Sequence, residues 1–193
     1  MTKVLLTGFE PFGTATSNPS GEIVKQISGD NIVTAILPVA YAQSAERLLA
    51  LIAEHKPDVV ISLGQAEGRT HISPERIAIN LDDARLADNE GVIRNDVPIV
   101  VGGPVAYEST LPIKEIVKAI NDAGVPAAVS LSAGAFLCNH VFYVAQDLFK
   151  GTKVRSGFVH VPLMDEQAGE FPGLPTMPLD QMVKAVRTML EVL

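Results

Sequence analysis

The chain has 193 residues, of which 19% are charged and 47% hydrophobic, and its formal net charge is -7. This length allows one domain with a substantial core and is short for two, so we expect a single domain over residues 1–193. The acidic balance argues against a nucleic-acid partner or an anionic membrane surface, because either would require a basic face.

Short apolar runs alternate with helical patterns along the chain. In chain order they predict strand 3–7, helix 18–27, strand 31–38, helix 41–57, strand 58–64, strand 75–81, helix 111–124, strand 126–132, helix 139–151, strand 156–162 and helix 179–193. Residues 82–103 are polar and Gly-rich, which predicts a long functional or mobile loop. The alternation indicates an α/β fold with a mostly parallel sheet and helices on both faces.

The N-terminal region does not have the pattern of a signal peptide. Its apolar run, from Val4 to Leu6, is short and is soon followed by Glu10. The longest weakly polar run, 126–138, is too short to span a bilayer, so we expect no membrane partner. Cys138 is the only cysteine and cannot form an internal disulfide, which predicts a reducing, cytoplasmic location.

The sequence lacks several common site motifs. The segment "GFEPFGTA" has the two glycines of a phosphate-binding loop, Gly8 and Gly13, but Thr14 stands where the lysine should be. The segment "GQAEGR" lacks the spacing of a dinucleotide fingerprint, and there is no G-x-S-x-G elbow. The four histidines are scattered, with no pair at i, i+4. We therefore expect no nucleotide site of these kinds and no metal site.

Cys138 lies where the connection after strand 126–132 passes into helix 139–151. Backbone N–H groups and the positive end of a helix stabilise a thiolate, so this placement suits a nucleophile. A lone cysteine is also a common small core residue. The residues alone leave both interpretations open.

A cysteine nucleophile requires a base, and the chain offers four histidines. His140 is only two residues from Cys138, and such positions on a helix do not face each other. His55 ends a predicted helix, and His71 lies in a polar connection. His160 interrupts an apolar strand at its carboxyl end, the edge where parallel sheets bind ligands, and is therefore the favoured base.

The base in turn needs a carboxylate that fixes its tautomer and stabilises its positive charge. Glu75, Asp82, Asp83 and Asp165 are all eligible, and physical reasoning alone does not choose among them. Glu75 begins an otherwise apolar strand, where a partly buried carboxylate needs a partner. Pairing with a neighbouring arginine at the surface explains Glu75 equally well.

A family resemblance rests on a series of segments from Lys3 to about Pro162: "LLTGFEPFG", "NPS", "GQAEGR", "ISPERIAINLDDAR", "DNEG", "LPIK", "AGAFLCNHVFY" and "GFVHVP". Their order and spacing resemble the pyroglutamyl peptidase I family, also called pyrrolidone-carboxylate peptidases. The segment after Pro162 is only generically similar. Two departures are Glu67, where a glycine is common in the family, and Leu137 before the cysteine; Glu67 adds a carboxylate near the expected site.

The resemblance implies a three-layer α/β/α sandwich and a triad of Cys138 as nucleophile, His160 as base and Glu75 as acid. It implies that the chain removes N-terminal pyroglutamyl residues from peptides through a thioester intermediate. It also implies a cytoplasmic homotetramer that needs no cofactor and no metal.

The pyroglutamyl group is an uncharged lactam without a free amine, so its site should be an apolar slot with a few hydrogen bonds. Phenylalanines lie in the connections after the predicted strands and could form the walls of such a slot. The resemblance places Phe9, Phe12 and Phe136 around the lactam. It places Asn18 and Gln65 near the substrate and Arg85 near the reacting carbonyl.

Two other functions are compatible with an α/β chain. An enzyme like the nucleoside phosphorylases would need phosphate and ribose ligands, and no matching basic loop is present. A non-catalytic module that binds a small cyclic ligand would be favoured if Cys138, His160 or Glu75 were missing, and all three are present.

Overall fold

A computed structural model describes residues 2–193, which form nine β-strands, five α-helices and one short 3-10 helix at Asp165–Gln167. The strands are β1 (Val4–Phe9), β2 (Ile32–Leu37), β3 (Val59–Gln65), β4 (Ser73–Pro74), β5 (Ile77–Ile79), β6 (Ala106–Glu108), β7 (Arg155–Val161), β8 (Leu163–Met164) and β9 (Thr176–Met177). The helices are α1 (Pro19–Lys25), α2 (Tyr41–His55), α3 (Ile113–Asp122), α4 (Leu137–Phe149) and α5 (Leu179–Glu191).

The central sheet has five strands in the order β2-β1-β3-β7-β4. The first four strands of this order run parallel, and the short β4 pairs antiparallel with β7 at one edge. The prediction of a mostly parallel sheet is confirmed. Since β1, β3 and β7 run in the same direction, their carboxyl ends meet at one edge, where Phe9, Gln65 and His160 lie.

Two apolar clusters cover the opposite faces of this sheet. Successive strand residues point to opposite faces, so Leu6 of β1 packs with helices α1, α3 and α5, whereas its neighbour Leu5 packs with α2 and α4. The buried residues of β3 divide between the clusters in the same way: Val59, Ile61 and Leu63 in the first, and Val60 in the second. Helices therefore cover both faces, as the alternating pattern predicts.

Helix α1 follows β1 in the chain, and the residues at its start, Asn18 and Pro19, fix where it begins. Asn18 is the N-cap, and its side-chain oxygen accepts a hydrogen bond from the backbone N–H of Ser20 at 3.1 Å. Pro19 occupies the first turn, where a missing N–H costs nothing. Helix α1 approaches β1 so closely that a Cβ at Gly8 would collide with the carbonyl of Ser20.

The prediction of a regular strand at 126–132 is wrong. The segment runs beside residues 72–76 but forms only two isolated parallel bridges, Ile72 with Ala127 and Glu75 with Ser130. Between these bridges lies Pro74, which has no N–H to donate. The ladder is therefore interrupted there, although Ser130 still donates to the Pro74 carbonyl at 3.0 Å.

Three further differences concern short elements and element ends. The predicted strand 75–81 is reduced to β5, which pairs with β6 in a separate two-stranded sheet. The parallel pair of β8 and β9 has no counterpart in the predicted elements. Helix α4 begins at Leu137 rather than at residue 139, so Cys138 lies inside its first turn.

Candidate active site

Cys138 lies in the first turn of α4, directly over the carboxyl end of β3. Its side chain is partly exposed. A Cβ built on Gly64 would lie 2.7 Å from the Cys138 sulfur and 2.7 Å from the ring of Phe158. The thiol can occupy this place only because residue 64 has no side chain, so the sequence of β3 shapes the position of the sulfur.

His160 is the next-to-last residue of β7 and sits beside Gly64 in the sheet register. Its ring is almost fully buried, and its Nδ1 lies 2.7 Å from Oε1 of Glu75. Because a carboxylate only accepts hydrogen bonds, Nδ1–H is the donor in this pair. This tautomer leaves Nε2 for the thiol of Cys138.

The pKa of His160 is raised to about 9. Burial by itself lowers this pKa, but Cys138 raises it by charge and hydrogen bonding, and Glu75 raises it in the same two ways. The imidazole is therefore positively charged at neutral pH. An imidazolium beside a cysteine is an environment that stabilises a thiolate.

Glu75 is fully buried at the junction of β4 and β5. Its Oε1 accepts from His160 and lies 3.5 Å from Nη2 of Arg69. Arg69 also donates to the hydroxyls of Ser73 and Ser130, at 3.3 and 3.2 Å. The carboxylate of Glu75 thus lies between two cationic groups, the almost fully buried His160 and the partly buried Arg69.

The other candidate acids and bases have different partners in the structure. Asp82 pairs with His140 instead of His160, and Asp83 and Asp165 are exposed. Among the remaining histidines, His55 lies 3.6 Å from the exposed Glu54, and His71 contacts the Thr70 hydroxyl. Within residues 2–193, His160 is the histidine that hydrogen-bonds to Glu75 and whose pKa is raised by Cys138.

A cavity of about 290 Å³ opens in front of Cys138. Five of the six predicted substrate residues line this cavity: Phe9, Phe12, Asn18, Gln65 and Phe136. The other lining residues are Cys138, Val39, Glu67, Leu86 and Leu137. Arg85 is not among its lining residues and is exposed, next to the lining residue Leu86. The walls are largely apolar, and the rings of Phe12 and Phe136 pack with their centroids 5.4 Å apart.

Two amide side chains supply the neutral polar groups of this cavity. Asn18 is already engaged, since its Oδ1 accepts from Ser20 and its Nδ2 donates to the Glu10 carbonyl at 2.9 Å. Gln65 accepts from Nε2 of Gln167 at 3.0 Å. This leaves the Nε2 of Gln65 free to donate within the described part of the chain.

Two residues that position the site were not found from the sequence. Gln167 is fully buried and fixes Gln65 from a part of the chain 102 residues away. Asn139 is also fully buried, and its side chain exchanges two hydrogen bonds of 2.9 Å with the backbone of Ile79. Asn139 thereby joins the first turn of α4 to the strand that follows Glu75. The only signal for it was a polar residue beside the cysteine in an apolar stretch.

A second buried histidine–carboxylate pair involves His140, which lies in the first turn of α4 two residues after Cys138. The Nδ1 of His140 is 2.9 Å from Oδ2 of Asp82, which also binds Nη1 of Arg94 at 2.7 Å. The guanidinium of Arg94 stacks 4.3 Å from the ring centroid of Tyr41. This cluster fastens the 82–103 segment to α2 and α4, so that Leu86 is held at the cavity.

The described residues contain no group of side chains suited to bind a metal ion. Within 2–193, no three His, Cys, Asp or Glu side chains are grouped so that they could hold a metal ion. Among the helices of the same residues, none has the length and apolar character needed to cross a bilayer.

A thiol at the start of a helix, a buried imidazole and a buried carboxylate at the carboxyl edge of a parallel sheet form the arrangement of a cysteine-type hydrolase. The comparison with known proteins narrows this class. The sequence profile of the family described as pyroglutamyl peptidase matches residues 2–193. The chain belongs to the pyroglutamyl peptidase family and is a cysteine peptidase.

Similar proteins and solved structures agree with this assignment. The pyrrolidone-carboxylate peptidase of Vibrio vulnificus strain YJ016 is 47% identical over 195 residues, covering 98% of this chain and 92% of that protein. The crystal structure of Bacillus amyloliquefaciens pyroglutamyl peptidase I superposes with a TM-score of 0.96 at 43% identity, covering 100% of this chain and 96% of that one. A mutant pyrrolidone carboxyl peptidase from the hyperthermophile Pyrococcus furiosus gives 0.91 at 43% identity, covering 98% and 97%.

Proposed function

We propose that this chain hydrolyses the bond after an N-terminal pyroglutamyl residue of peptides, with Cys138 as nucleophile, His160 as general acid and base, and Glu75 as the orienting carboxylate. The observation that carries the proposal is the buried His160–Glu75 hydrogen bond of 2.7 Å next to the thiol of Cys138. The family membership supports the same activity.

The first step is attack by the thiolate. The raised pKa of His160 favours an imidazolium beside Cys138, and this positive charge stabilises negative charge on the attacking sulfur. The sulfur forms a bond to the pyroglutamyl carbonyl carbon, and negative charge develops on the carbonyl oxygen. Helix α4 begins without a side-chain cap, so N–H groups of its first turn are available to stabilise that oxygen.

The second step expels the peptide. The imidazolium of His160 gives its proton to the leaving amine, the C–N bond breaks, and a thioester with Cys138 remains. Water then attacks the thioester while neutral His160 takes its proton. The C–S bond breaks, and pyroglutamate leaves. Throughout, Glu75 holds the imidazole through Nδ1 and stabilises its positive charge.

The cavity explains why a lactam would be preferred. Phe9, Phe12 and Phe136 offer apolar surface to a ring that carries no charge. The free Nε2 of Gln65 can donate to the lactam carbonyl, because Gln167 holds the amide oxygen of Gln65. A prolyl substrate lacks that carbonyl and would leave a donor unpaired, which typically costs a large factor in specificity.

The role of the thiol is tested by selective inhibition. A thiol alkylator should abolish cleavage of a pyroglutamyl coumarin amide, whereas a chelator should leave it unchanged. Cys138→Ser should lose the activity, because a serine hydroxyl beside His160 is not ionised. Undiminished cleavage by Cys138→Ser would show that another group is the nucleophile.

The assembly, location and cofactor requirement are proposals that rest on the family resemblance. We propose a cytoplasmic homotetramer whose activity requires no cofactor. Sedimentation velocity of the purified chain tests the tetramer, since a monomer at micromolar concentration would contradict it. Full activity after extensive dialysis against a chelator is the result expected for an enzyme without a metal or other dissociable cofactor.

A further inference from the structure

A second cavity adjoins the catalytic one and contains a free carboxylate. We propose that this cavity receives the first one or two residues of the leaving peptide and that Glu67 selects peptides with a cationic side chain there. The proposal rests on the proposed function and adds to it a preference on the other side of the cleaved bond.

The second cavity has a volume of about 360 Å³. The second cavity adjoins the cavity at Cys138, because four residues line both: Phe12, Gln65, Glu67 and Leu86. The pyroglutamyl ring would fill the first cavity, and the chain beyond the cleaved bond must then leave it. An extended peptide advances about 3.3–3.6 Å per residue, so the neighbouring cavity is within reach of the first two residues.

The other carboxylate and amide side chains of the second cavity are already engaged. Asp88 accepts hydrogen bonds from the backbone N–H groups of Tyr41, Glu90 and Val92. Asn89 donates to Glu10 and to the Pro11 carbonyl. Gln65 is held by Gln167. The remaining free group of Gln65, its Nε2, is a donor and therefore binds no cation. These groups shape the cavity and have little remaining capacity to bind a cationic ligand.

Glu67 differs from these groups because it is exposed and lines both cavities. Its carboxylate makes no ion pair and no side-chain hydrogen bond within residues 2–193. Arg69, two residues away, is directed to the buried Glu75. No lysine or arginine lines the second cavity, and Asp88 adds a further negative charge.

The apolar walls of the second cavity suit the aliphatic part of a long cationic side chain. Phe12, Leu86 and Phe171 line the second cavity with apolar surface. Lysine and arginine pack their aliphatic stems on such surfaces while their charged ends remain in water. A lysine in the first two residues after the cleaved bond could therefore lie on this surface with its ammonium group beside Glu67.

The expected selectivity is modest because Glu67 is exposed. An exposed ion pair changes a binding constant by about twofold. Replacing lysine with glutamate exchanges an attraction for a repulsion of similar size, so kcat/KM should differ by about fourfold between the two peptides. High salt should reduce this ratio toward one, because charges are screened within about 3 Å at 1 M ionic strength.

The experiment compares short peptide amides that contain pyroglutamate followed by lysine, glutamine or glutamate at the first or the second position. The released peptide is quantified by liquid chromatography with mass detection, at low and high salt. The readout is the ratio of kcat/KM for lysine to that for glutamate within each enzyme. Glu67→Gln should bring the ratio to about one, and Glu67→Lys should invert it. Glu46→Gln, which changes the same charge at an exposed position of α2, should retain the wild-type ratio.

Each outcome bears on one claim. A wild-type ratio near one, or an unchanged ratio in Glu67→Gln, would overturn the role of Glu67 while leaving the peptidase activity intact. A pyroglutamyl coumarin amide has no downstream residue and is measured alongside. If neither this amide nor any peptide is cleaved, the proposed function itself fails.

Discussion

Substituting alanine for Gly64 should inactivate the enzyme by moving its nucleophile. The added Cβ would lie 2.7 Å from the Cys138 sulfur and 2.7 Å from the Phe158 ring. Comfortable contacts between such atoms are about 3.5–4.0 Å, so the sulfur must retreat by about 1 Å. A displacement of that size at a reacting centre lowers the rate by about 100-fold. Overpacking at a core position should also cost about 1–3 kcal/mol of stability.

The assay must separate displacement of the thiol from loss of stability. We would measure kcat/KM for a pyroglutamyl coumarin amide, the rate of alkylation by iodoacetamide, and the free energy of unfolding in urea. Gly157→Ala is the matched control, because its Cβ would meet the side chains of Leu111 and Ser109 rather than Cys138. The control should lose comparable stability and keep its activity per folded molecule. A Gly64→Ala variant that retains more than about a third of the wild-type kcat/KM would show that the added Cβ does not displace the sulfur.

Two further predictions concern the buried charges. The pKa of His160 is raised to about 9 from an ordinary value near 6.5. The charged His160 therefore stabilises the folded state fully below about pH 6.5, and this contribution to the free energy of unfolding is lost as pH rises through about 9. Urea titrations should show this decline in the wild type and a flatter profile in His160→Gln; parallel profiles would contradict it. Arg94→Met removes one of the two partners of the buried Asp82 and leaves His140, so it should cost about 2 kcal/mol. The control is the exposed pair of Lys118 and Asp122, where Lys118→Met should lower the free energy of unfolding by less than about 1 kcal/mol. Equal losses of stability in the two variants would contradict the difference expected between buried and exposed pairs.

The alternation of apolar runs was sufficient to predict most of the fold. Strands 3–7, 58–64 and 156–162 and the five helices coincide closely with β1, β3, β7 and α1 to α5. The strand at 126–132 could not be judged from its own residues. Whether it joins a ladder depends on its neighbour, and that neighbour contains Pro74, which lacks the required donor.

Cys138 and His160 could be selected as candidates from the sequence because both lie at the carboxyl ends of predicted strands, although the residues alone left open whether Cys138 is a nucleophile or a core residue. The acid could not, since Glu75 and Asp82 both begin or follow the same predicted strand. The structure separates them by partner: Glu75 contacts His160, and Asp82 contacts His140. Only the family resemblance favoured Glu75 beforehand.

The residues that hold the site in place lie beyond local pattern. Gln167 binds Gln65 across 102 residues, and Asn139 binds Ile79 across 60. Each contact is an ordinary amide hydrogen bond whose partner is set by the tertiary fold. A sequence shows that such residues are polar in an apolar setting, but not which group they will meet.

The most direct test of the central claim is hydrolysis of a pyroglutamyl coumarin amide beside its prolyl counterpart, under reducing conditions, by the wild type and by Cys138→Ala. We expect release of the fluorophore from the pyroglutamyl substrate alone, and none with Cys138→Ala. Release that persists in Cys138→Ala, or an inactive wild type, would contradict the assignment of Cys138 as the nucleophile of a pyroglutamyl peptidase.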